Sequence, residues 1–223
     1  MGSSDDQAQA RLNHVNDSSA TKRPLMRKRG LERHGLLLDA TADLLADRSE
    51  EDISLAQIAE RAGVPLASVY HFFPNRNAAF VALAQRYHAE LGASTRTPIN
   101  PPPLTWQDYV RRRQHQGASY LNANPAALRL FMGAGVSVEV RNTDLNGNAE
   151  LAKLRTAYLK ATFDMPNIPD LEQKIATSIA LVDGIWALSY SQHREITESY
   201  LAESIRAAVS YLRCYLPEFI ARR

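Results

Sequence analysis

Cysteine is almost absent from this chain, and so are long apolar runs. The 223 residues include one cysteine, Cys214, which excludes a disulfide within the chain and suits a reducing compartment. We expect Cys214 to be a small buried apolar residue rather than a redox sensor. No apolar run approaches the roughly 20 residues of a membrane-spanning helix, and residues 1–28 lack the apolar core of a signal peptide. These absences predict a cytoplasmic protein.

Motifs that carry catalysis are missing as well. The sequence contains no nucleophile elbow, no Walker loop and no dinucleotide glycine fingerprint. Its six histidines are dispersed without the spacing of metal ligands. We therefore expect no enzymatic activity, no metal and no cofactor.

Alternation of apolar and polar residues never persists long enough to predict a strand, whereas helical periodicity recurs along the chain. A first helix is predicted from Arg29 to Leu45, and another from about Asn77 to Gly92. After a proline-rich loop at residues 98–103, further helices are predicted at about 105–122, 125–135, 147–163, 170–192 and 196–215. Asn146-Gly147 is one of the predicted breaks between them. The pattern favours an all-α fold.

Residues 54–76 carry the most informative local pattern. Ser54 has the chemistry of a helix N-cap, and Gly63 can adopt the left-handed backbone at a helix C-terminus. Pro65 suits the first turn of a second, short helix, which ends before Pro74. Two short helices joined by a glycine turn are typical of a helix-turn-helix DNA-binding motif. The alternative is an αα-hairpin of the kind found in any helical protein.

The run from Ser68 to Arg76 favours DNA binding. Val69 and Phe73 are four residues apart, so they share one face and belong to a small core beneath the second helix. Tyr70, His71 and Arg76 can then point outward, with donors for phosphate oxygens.

This segment resembles the DNA-binding domain of the tetracycline-repressor (TetR) family of bacterial regulators. The resemblance extends from Arg29 to about Leu83 and is carried by Ile58-Ala59, Ala62-Gly63-Val64, Tyr70-His71, Phe73 and Arg76. Phe72 departs from the pattern, because family members commonly have His or Tyr there. The resemblance implies an N-terminal three-helix helix-turn-helix domain and a larger helical domain for ligand binding and dimerisation, about nine helices in all. We divide the chain into a disordered basic-ended arm (1–28), the DNA-binding domain (29–76) and the regulatory domain (77–223).

The predicted DNA contacts lie on and around the second short helix. Its exposed start, Leu66 to Ser68, would face base edges in the major groove. Five of the eight residues 22–29 are basic, so an arm ending there could follow a phosphate backbone or enter a minor groove; the alternative is a solubilising tail. The residues predicted to contact DNA are Lys28, Arg29, Ser54, Leu66, Ala67, Ser68, Tyr70, His71 and Arg76.

The last two predicted helices, at about 170–192 and 196–215, carry more apolar surface than one subunit needs, so we expect a homodimer. The alternative is that both helices only complete the core of a monomer. The resemblance also implies a small-molecule effector, whose identity the sequence leaves open. Aromatic residues are the predicted walls of its pocket, although aromatics at helical spacing also form cores; they are Trp106, Tyr109, Tyr120, Phe131, Tyr158, Phe163, Trp186 and Tyr190.

The function that follows is a DNA-binding transcriptional regulator. We expect a repressor that binds a pseudo-palindromic double-stranded operator as a dimer and is released by its ligand, with activation as an open alternative. A different class of function also stays open, a helical binding or scaffold protein without sequence-specific DNA binding.

Overall fold

The computed structural model of the protein describes residues 28–223. These residues form nine α-helices: α1 (residues 28–47), α2 (Leu55–Ala62), α3 (Leu66–Phe72), α4 (Arg76–Arg96), α5 (Trp106–Ala123), α6 (Pro125–Met132), α7 (Val138–Thr162), α8 (Leu171–His193) and α9 (Glu198–Arg213). A short 3-10 helix at Glu50–Asp52 precedes α2, and no strand occurs in this part of the chain. The predicted all-α fold is confirmed. The predicted disordered arm over residues 1–28 lies, except for Lys28, outside the described residues.

Short-range sequence signals set the geometry of α2 and α3. The Ser54 hydroxyl accepts a hydrogen bond from the Gln57 amide (3.3 Å), and the Gln57 side chain accepts one from the Ser54 amide (2.7 Å). This reciprocal capping box fixes the start of α2. Gly63 ends α2 with φ 64° and ψ 32°, a backbone conformation that residues other than glycine rarely adopt. The predicted N-cap and left-handed turn are both confirmed.

A small core lies beneath α3 and joins it to α1 and α2. Val69 and Phe73 are buried, as the sequence predicts, and they belong to a cluster with Leu37, Leu45 and Ile58. A helix of seven residues is not stable alone, whatever the helix propensity of its residues. Burial of these side chains therefore holds α3 in place. The three helices therefore present α3 on a rigid base.

Helix α7 is longer than predicted, and the expected break at Asn146-Gly147 is wrong. The helix begins at Val138, capped by the Ser137 hydroxyl, and passes through Gly147 without interruption. A Cβ at Gly147 would lie 2.2 Å from ring atoms of His88 on α4. The glycine is thus explained by the close approach of α4 to α7 rather than by a turn.

Gly147→Ala is expected to destabilise the protein by about 1–3 kcal/mol, because the added methyl group must displace a packed ring. His88 has little freedom to move, since its Nε2 lies 3.1 Å from Asp144 and its ring packs on Phe131 with a centroid distance of 4.6 Å. The matched control is Gly35→Ala in α1, where nothing lies within 4 Å of the added Cβ. That variant should gain about 0.4–1 kcal/mol from reduced entropy of the unfolded chain. Urea unfolding of both variants measures the difference, and equal effects would contradict the packing explanation.

Helix α4 joins the three-helix domain to the rest of the molecule. At its start, the Asn77 side chain bonds both the Ser137 hydroxyl (2.7 Å) and the Glu139 carboxylate (3.1 Å) at the beginning of α7. At its end, the Arg113 guanidinium of α5 bonds the carbonyls of Ser94, Thr95 and Thr97. Both ends of α4 are therefore fixed to the larger domain, and a displacement of α4 would move α3.

Polar bonds also cross the interior of the larger domain. The Trp186 indole of α8 donates to the Ser204 hydroxyl of α9 (3.0 Å), and that hydroxyl donates in turn to the Gln114 side chain of α5 (2.9 Å). Buried polar groups that are satisfied in this way fix the register of three helices. In residues 28–223 no helix combines the length and apolar character that crossing a lipid bilayer requires.

Cys214 is exposed, and the prediction that it is buried is wrong. It follows the last residue of α9, and its thiol contacts the Ser210 carbonyl at 3.7 Å. The apolar stripe of α9 is completed by Leu212 and Leu216 instead, both of which are buried. The position of a cysteine relative to the end of a helix decides its burial here.

Candidate functional site

The outer face of α3 consists of side chains that stay wholly or partly exposed in the described chain. Leu66 is 40% exposed and Tyr70 is 58% exposed, although both are large and partly apolar. Ala67 and His71 are also exposed, and Ser68 is partly so. These five residues form one continuous surface on a rigid helix, with small side chains at its start and donors at its end.

The remaining predicted DNA contacts surround this face unevenly. Lys28 and Arg29 are exposed at the start of α1. Ser54 is exposed, but its hydroxyl and amide are both occupied by the capping box. Arg76 donates through Nη1 to the carbonyls of Glu51 (2.7 Å) and Ile53 (3.3 Å), so this guanidinium holds the loop before α2. Its Nε and Nη2 have no hydrogen-bond partner within residues 28–223.

Phe72, the departure from the TetR pattern, lies against α1. Its ring is half-buried, at centroid distances of 5.7 Å from His34 and 5.4 Å from His71. An aromatic cluster of this kind contributes apolar burial in place of a polar group at the surface. Phe72, in place of the family's His or Tyr, therefore adds to the packing of α3 on α1. The hydrogen-bond donors on the outer face of α3 are then Tyr70 and His71.

The eight aromatic residues predicted to line a pocket are not brought together in one place. Tyr109, Phe131 and Trp186 line interior cavities of the larger domain, and Tyr158 stacks on Tyr109 at 4.3 Å. Tyr120 bonds the Glu90 carboxylate, and burial together with that carboxylate raises the pKa of Tyr120. The others lie elsewhere, Tyr190 in a surface groove beside α1 and Trp106 and Phe163 in the core near the C-terminus.

Two adjoining cavities lie in the interior of the larger domain, and helices α4 to α9 contribute their walls. The first, here called the arginine lobe, is lined by Tyr109, Arg113 and Gln114 of α5, Arg155 of α7, Ser178 of α8 and apolar side chains around them. The second, the aspartate lobe, is lined by His88 of α4, Phe131 of α6, Asp144 and Asn148 of α7, Asp183 and Trp186 of α8 and further apolar side chains. Gln114, Arg155 and Val182 line both lobes and so form their common wall.

One carboxyl group in the aspartate lobe, that of Asp183, is strongly perturbed. Asp144 is buried and is paired with His88 (3.1 Å) and Arg141 (2.9 Å). Asp183 accepts a hydrogen bond from the Asn148 amide at 2.8 Å. Burial, and then the charge of Asp144, raise the pKa of Asp183 from 3.8 to about 7. Perturbed carboxyl groups beside apolar walls are typical of binding sites.

Sequence reasoning missed the charged lining of these cavities. Arg113, Arg155, Asp144, Asp183 and His88 were not among the predicted ligand-binding residues. A signal was present in α7, where Asp144, Asn148 and Arg155 occupy the same helical stripe as the buried Val140, Leu151 and Leu159. Ionisable side chains within an apolar stripe indicate either a buried ion pair or a ligand site.

Comparison with known proteins was made for sequence and for fold. The model of the family described as bacterial regulatory proteins, tetR family, matches residues 37–83. A search of the curated proteins found no match. A TetR transcriptional regulator from Rhodococcus sp. RHA1 is similar in fold, with a TM-score of 0.63 and 18% identity over 83% of this chain and 97% of that one.

Two structures of SmeT are similar as well. SmeT, the repressor of the Stenotrophomonas maltophilia multidrug efflux pump SmeDEF, has a TM-score of 0.61 and 16% identity over 83% of this chain and 91% of that one. The complex of SmeT with triclosan has a TM-score of 0.57 and 15% identity over 84% of this chain and 93% of that one. The matched segment spans the helix-turn-helix, and the fold likeness extends over the larger domain. The segment 37–83, which contains the helix-turn-helix, thus matches the model of the tetR family, and the fold of the described chain is similar to that of solved TetR-family regulators.

Proposed function

We propose that the protein is a transcriptional repressor that binds a pseudo-palindromic operator as a homodimer and leaves it when a small molecule occupies the larger domain. The observation that carries the proposal is the outer face of α3, where Leu66 and Tyr70 stay exposed on a helix whose other face is buried. A protein rarely leaves a row of such side chains without a partner. The width of the DNA major groove admits one α-helix.

The chemistry of α3 divides into base reading and phosphate binding. Leu66 and Ala67 can contact thymine methyl groups, and the Ser68 hydroxyl can bond a base edge. Tyr70 and His71, one turn further along, can donate to phosphate oxygens, as can the unused nitrogens of Arg76. Because Arg76 also holds the loop before α2, its contribution to affinity would combine a direct contact with the placement of that loop.

Dimer formation is supported by the exposed stripe of α8. Leu181 is 40% exposed and Leu188 is 55% exposed, and Gly184 lies between them with nothing within 4 Å of the point where a Cβ would lie. Half-buried Ile205 and Val209 continue the apolar surface on α9. Two helices from each subunit would cover this surface, with glycine allowing close approach. The twofold axis would present two α3 helices to two half-sites, and a dimer on a promoter blocks polymerase.

Release by a ligand is supported by the position of the cavities. The free space is about 20 Å³ in the arginine lobe and about 50 Å³ in the aspartate lobe, which is room for water molecules only. A larger molecule must therefore separate the walls, and His88 and Leu91 of α4 are part of them. Since α4 follows α3 after a short turn, a shift of α4 would change the distance between the two α3 helices of the dimer. The triclosan complex of SmeT, a protein of similar fold, is a precedent for a bound small molecule.

The proposal is tested by selecting bound DNA from a random double-stranded library with the purified full-length protein. A repressor of this kind should enrich a sequence with two related half-sites. Failure to enrich any sequence would contradict the proposal and favour the helical scaffold alternative.

Tyr70→Ala is expected to weaken binding to the selected operator at least tenfold, because the DNA-binding domain of each subunit loses a charge-assisted hydrogen bond of about 1.5–3 kcal/mol. Tyr215→Ala is the matched control, since Tyr215 is another exposed tyrosine (43%) but lies beyond α9. Fluorescence anisotropy with labelled operator at fixed salt concentration measures both variants. Full affinity in Tyr70→Ala would show that the outer face of α3 is not the DNA contact.

A further inference from the structure

Arg155 is a largely buried cation without a partner. It lies on α7 between the two lobes, and its Nε is shielded from solvent with no hydrogen-bond partner. Within residues 28–223 none of its nitrogens makes a hydrogen bond or an ion pair. Burial lowers the pKa of Arg155, and the charge of Arg113 lowers it further, whereas Tyr109 and the charge of Asp183 act in the opposite direction without making a hydrogen bond or an ion pair with Arg155. An isolated guanidinium in such a place is costly unless an anion joins it.

The groups around Arg155 are also donors that lack an acceptor. The Tyr109 hydroxyl is buried without a partner, and so is Nε of Arg113. The orientation of both side chains is fixed, because the Arg113 guanidinium bonds the carbonyls at the end of α4 and lies over the Tyr109 ring at 5.4 Å. Three unpaired donors from two helices thus line one small cavity.

The arginine lobe contains no carboxylate among its lining residues. The carbonyls at the C-terminus of α4 offset part of the Arg113 charge. Arg155 has no such hydrogen bonds among the described residues, and Asp183, whose charge acts on it from the aspartate lobe, makes no ion pair with it. An anion would therefore complete the pairing of Arg155, and a planar carboxylate matches the fork of a guanidinium. A cationic ligand would face two guanidinium groups there.

The aspartate lobe, on the other side of the common wall, offers apolar surface. Beyond Arg155 the aspartate lobe presents Trp186, Phe131 and Leu151, while Asp144 is already paired with His88 and Arg141. We infer that the effector is a carboxylic acid with an apolar, preferably aromatic, body, its carboxylate held by Arg155, Arg113 and Tyr109 and its body beside Trp186. This inference rests on the proposed function only in naming the bound molecule an effector; the site itself does not depend on DNA binding.

The test uses the full-length protein and three compounds that share one body, 4-phenylbutyrate, 4-phenylbutyramide and 4-phenylbutylamine. Isothermal titration calorimetry without DNA should show the carboxylate binding at least tenfold more tightly than the amide or the amine. Equal affinity for acid and amide would overturn the inference, as would tighter binding of the amine, which would place the anchor at Asp183. Absence of carboxylate binding at millimolar concentration would overturn it too.

Two variants separate a binding role of these residues from a structural one. Arg155→Met should lose at least tenfold in phenylbutyrate affinity. The melting temperature of the ligand-free protein, measured at pH 5 where Asp183 is largely protonated, should stay equal or rise, because a largely buried charge without a hydrogen bond or an ion pair is removed. Tyr109→Phe removes only the unpartnered hydroxyl and should weaken phenylbutyrate binding severalfold with an unchanged melting temperature. Unchanged affinity in both variants would refute the site.

Operator release is measured separately, by adding phenylbutyrate to the complex with selected DNA. Carboxylate binding without any DNA affinity would refute the proposed function and leave the site intact. DNA binding without carboxylate recognition would refute the site and leave the proposed function intact.

Discussion

Gly184→Trp is expected to convert the proposed dimer into a folded monomer. Gly184 lies in the middle of the exposed stripe of α8, and no atom of residues 28–223 lies within 4 Å of the position that its Cβ would take. A tryptophan there starts from an uncrowded Cβ on an exposed part of α8, so we expect the subunit to fold, but the indole occupies the space in which a second α8 would pack. The monomer mass should appear in light scattering at micromolar concentration, with an unchanged helical circular dichroism spectrum.

Loss of the dimer should also remove most of the operator affinity. Two linked DNA-binding domains bind with about 10²–10⁴ times the affinity of one domain, because binding of the second domain is intramolecular. Gly35→Trp is the matched control for oligomeric state, since Gly35 is also an uncrowded helical glycine but lies on α1. If Gly184→Trp and Gly35→Trp had the same dimeric mass, α8 would not be the interface. A monomeric wild-type protein would contradict the dimer itself.

Local chemistry explains which parts of the fold the sequence could predict. The cap at Ser54 and the turn at Gly63 depend on residues within one helical turn, so the pattern of residue types is sufficient. Val69 and Phe73 follow from spacing alone, because only one face of so short a helix can meet the core. The helix-turn-helix is built almost wholly from such signals.

Contacts between distant segments explain what the sequence could not predict. Gly147 has the residue type of a break, yet it is a point where His88, far away in the chain, packs against α7. Arg76 has the residue type of a phosphate contact, but the structure also places it on the carbonyls of a preceding loop. The aromatic residues predicted to form one pocket are dispersed because their helices turn them toward different neighbours.

The cavities show the same limit. Arg113 and Arg155 lie in different helices, and only the packing of α5 against its neighbours brings them to one lobe. Nothing in the sequence indicates that Asp144 is paired while Arg155 is not. The chemistry of the site is thus a property of the tertiary structure, whereas the family assignment of residues 37–83 is a property of the sequence.

Asp183→Asn is expected to stabilise the protein above pH 8 by about 2–4 kcal/mol and to leave its stability near pH 4 almost unchanged. The pKa of Asp183 is raised from 3.8 to about 7 in the folded protein, by burial first and by the charge of Asp144 second. Between these two values the folded state keeps a proton that the unfolded chain has released, so the free energy of unfolding falls as pH rises. The charges that face this carboxyl are Asp144, Arg155 and Arg141 on α7, with His88 of α4 bound to Asp144.

An asparagine keeps the hydrogen bond from Asn148, because its side-chain oxygen can accept from the same amide (2.8 Å in the wild type), and it removes the ionisation. Urea unfolding at fixed protein concentration, from pH 4 to pH 9, should therefore show a smaller decline for Asp183→Asn than for the wild type. Asp47→Asn, which changes an exposed carboxyl at the end of α1, should follow the wild-type curve. A variant curve parallel to that of the wild type would mean that Asp183 ionises in the folded state as readily as in the unfolded chain. The aspartate lobe would then be open to water, and the apolar environment assigned to the body of the ligand would be wrong.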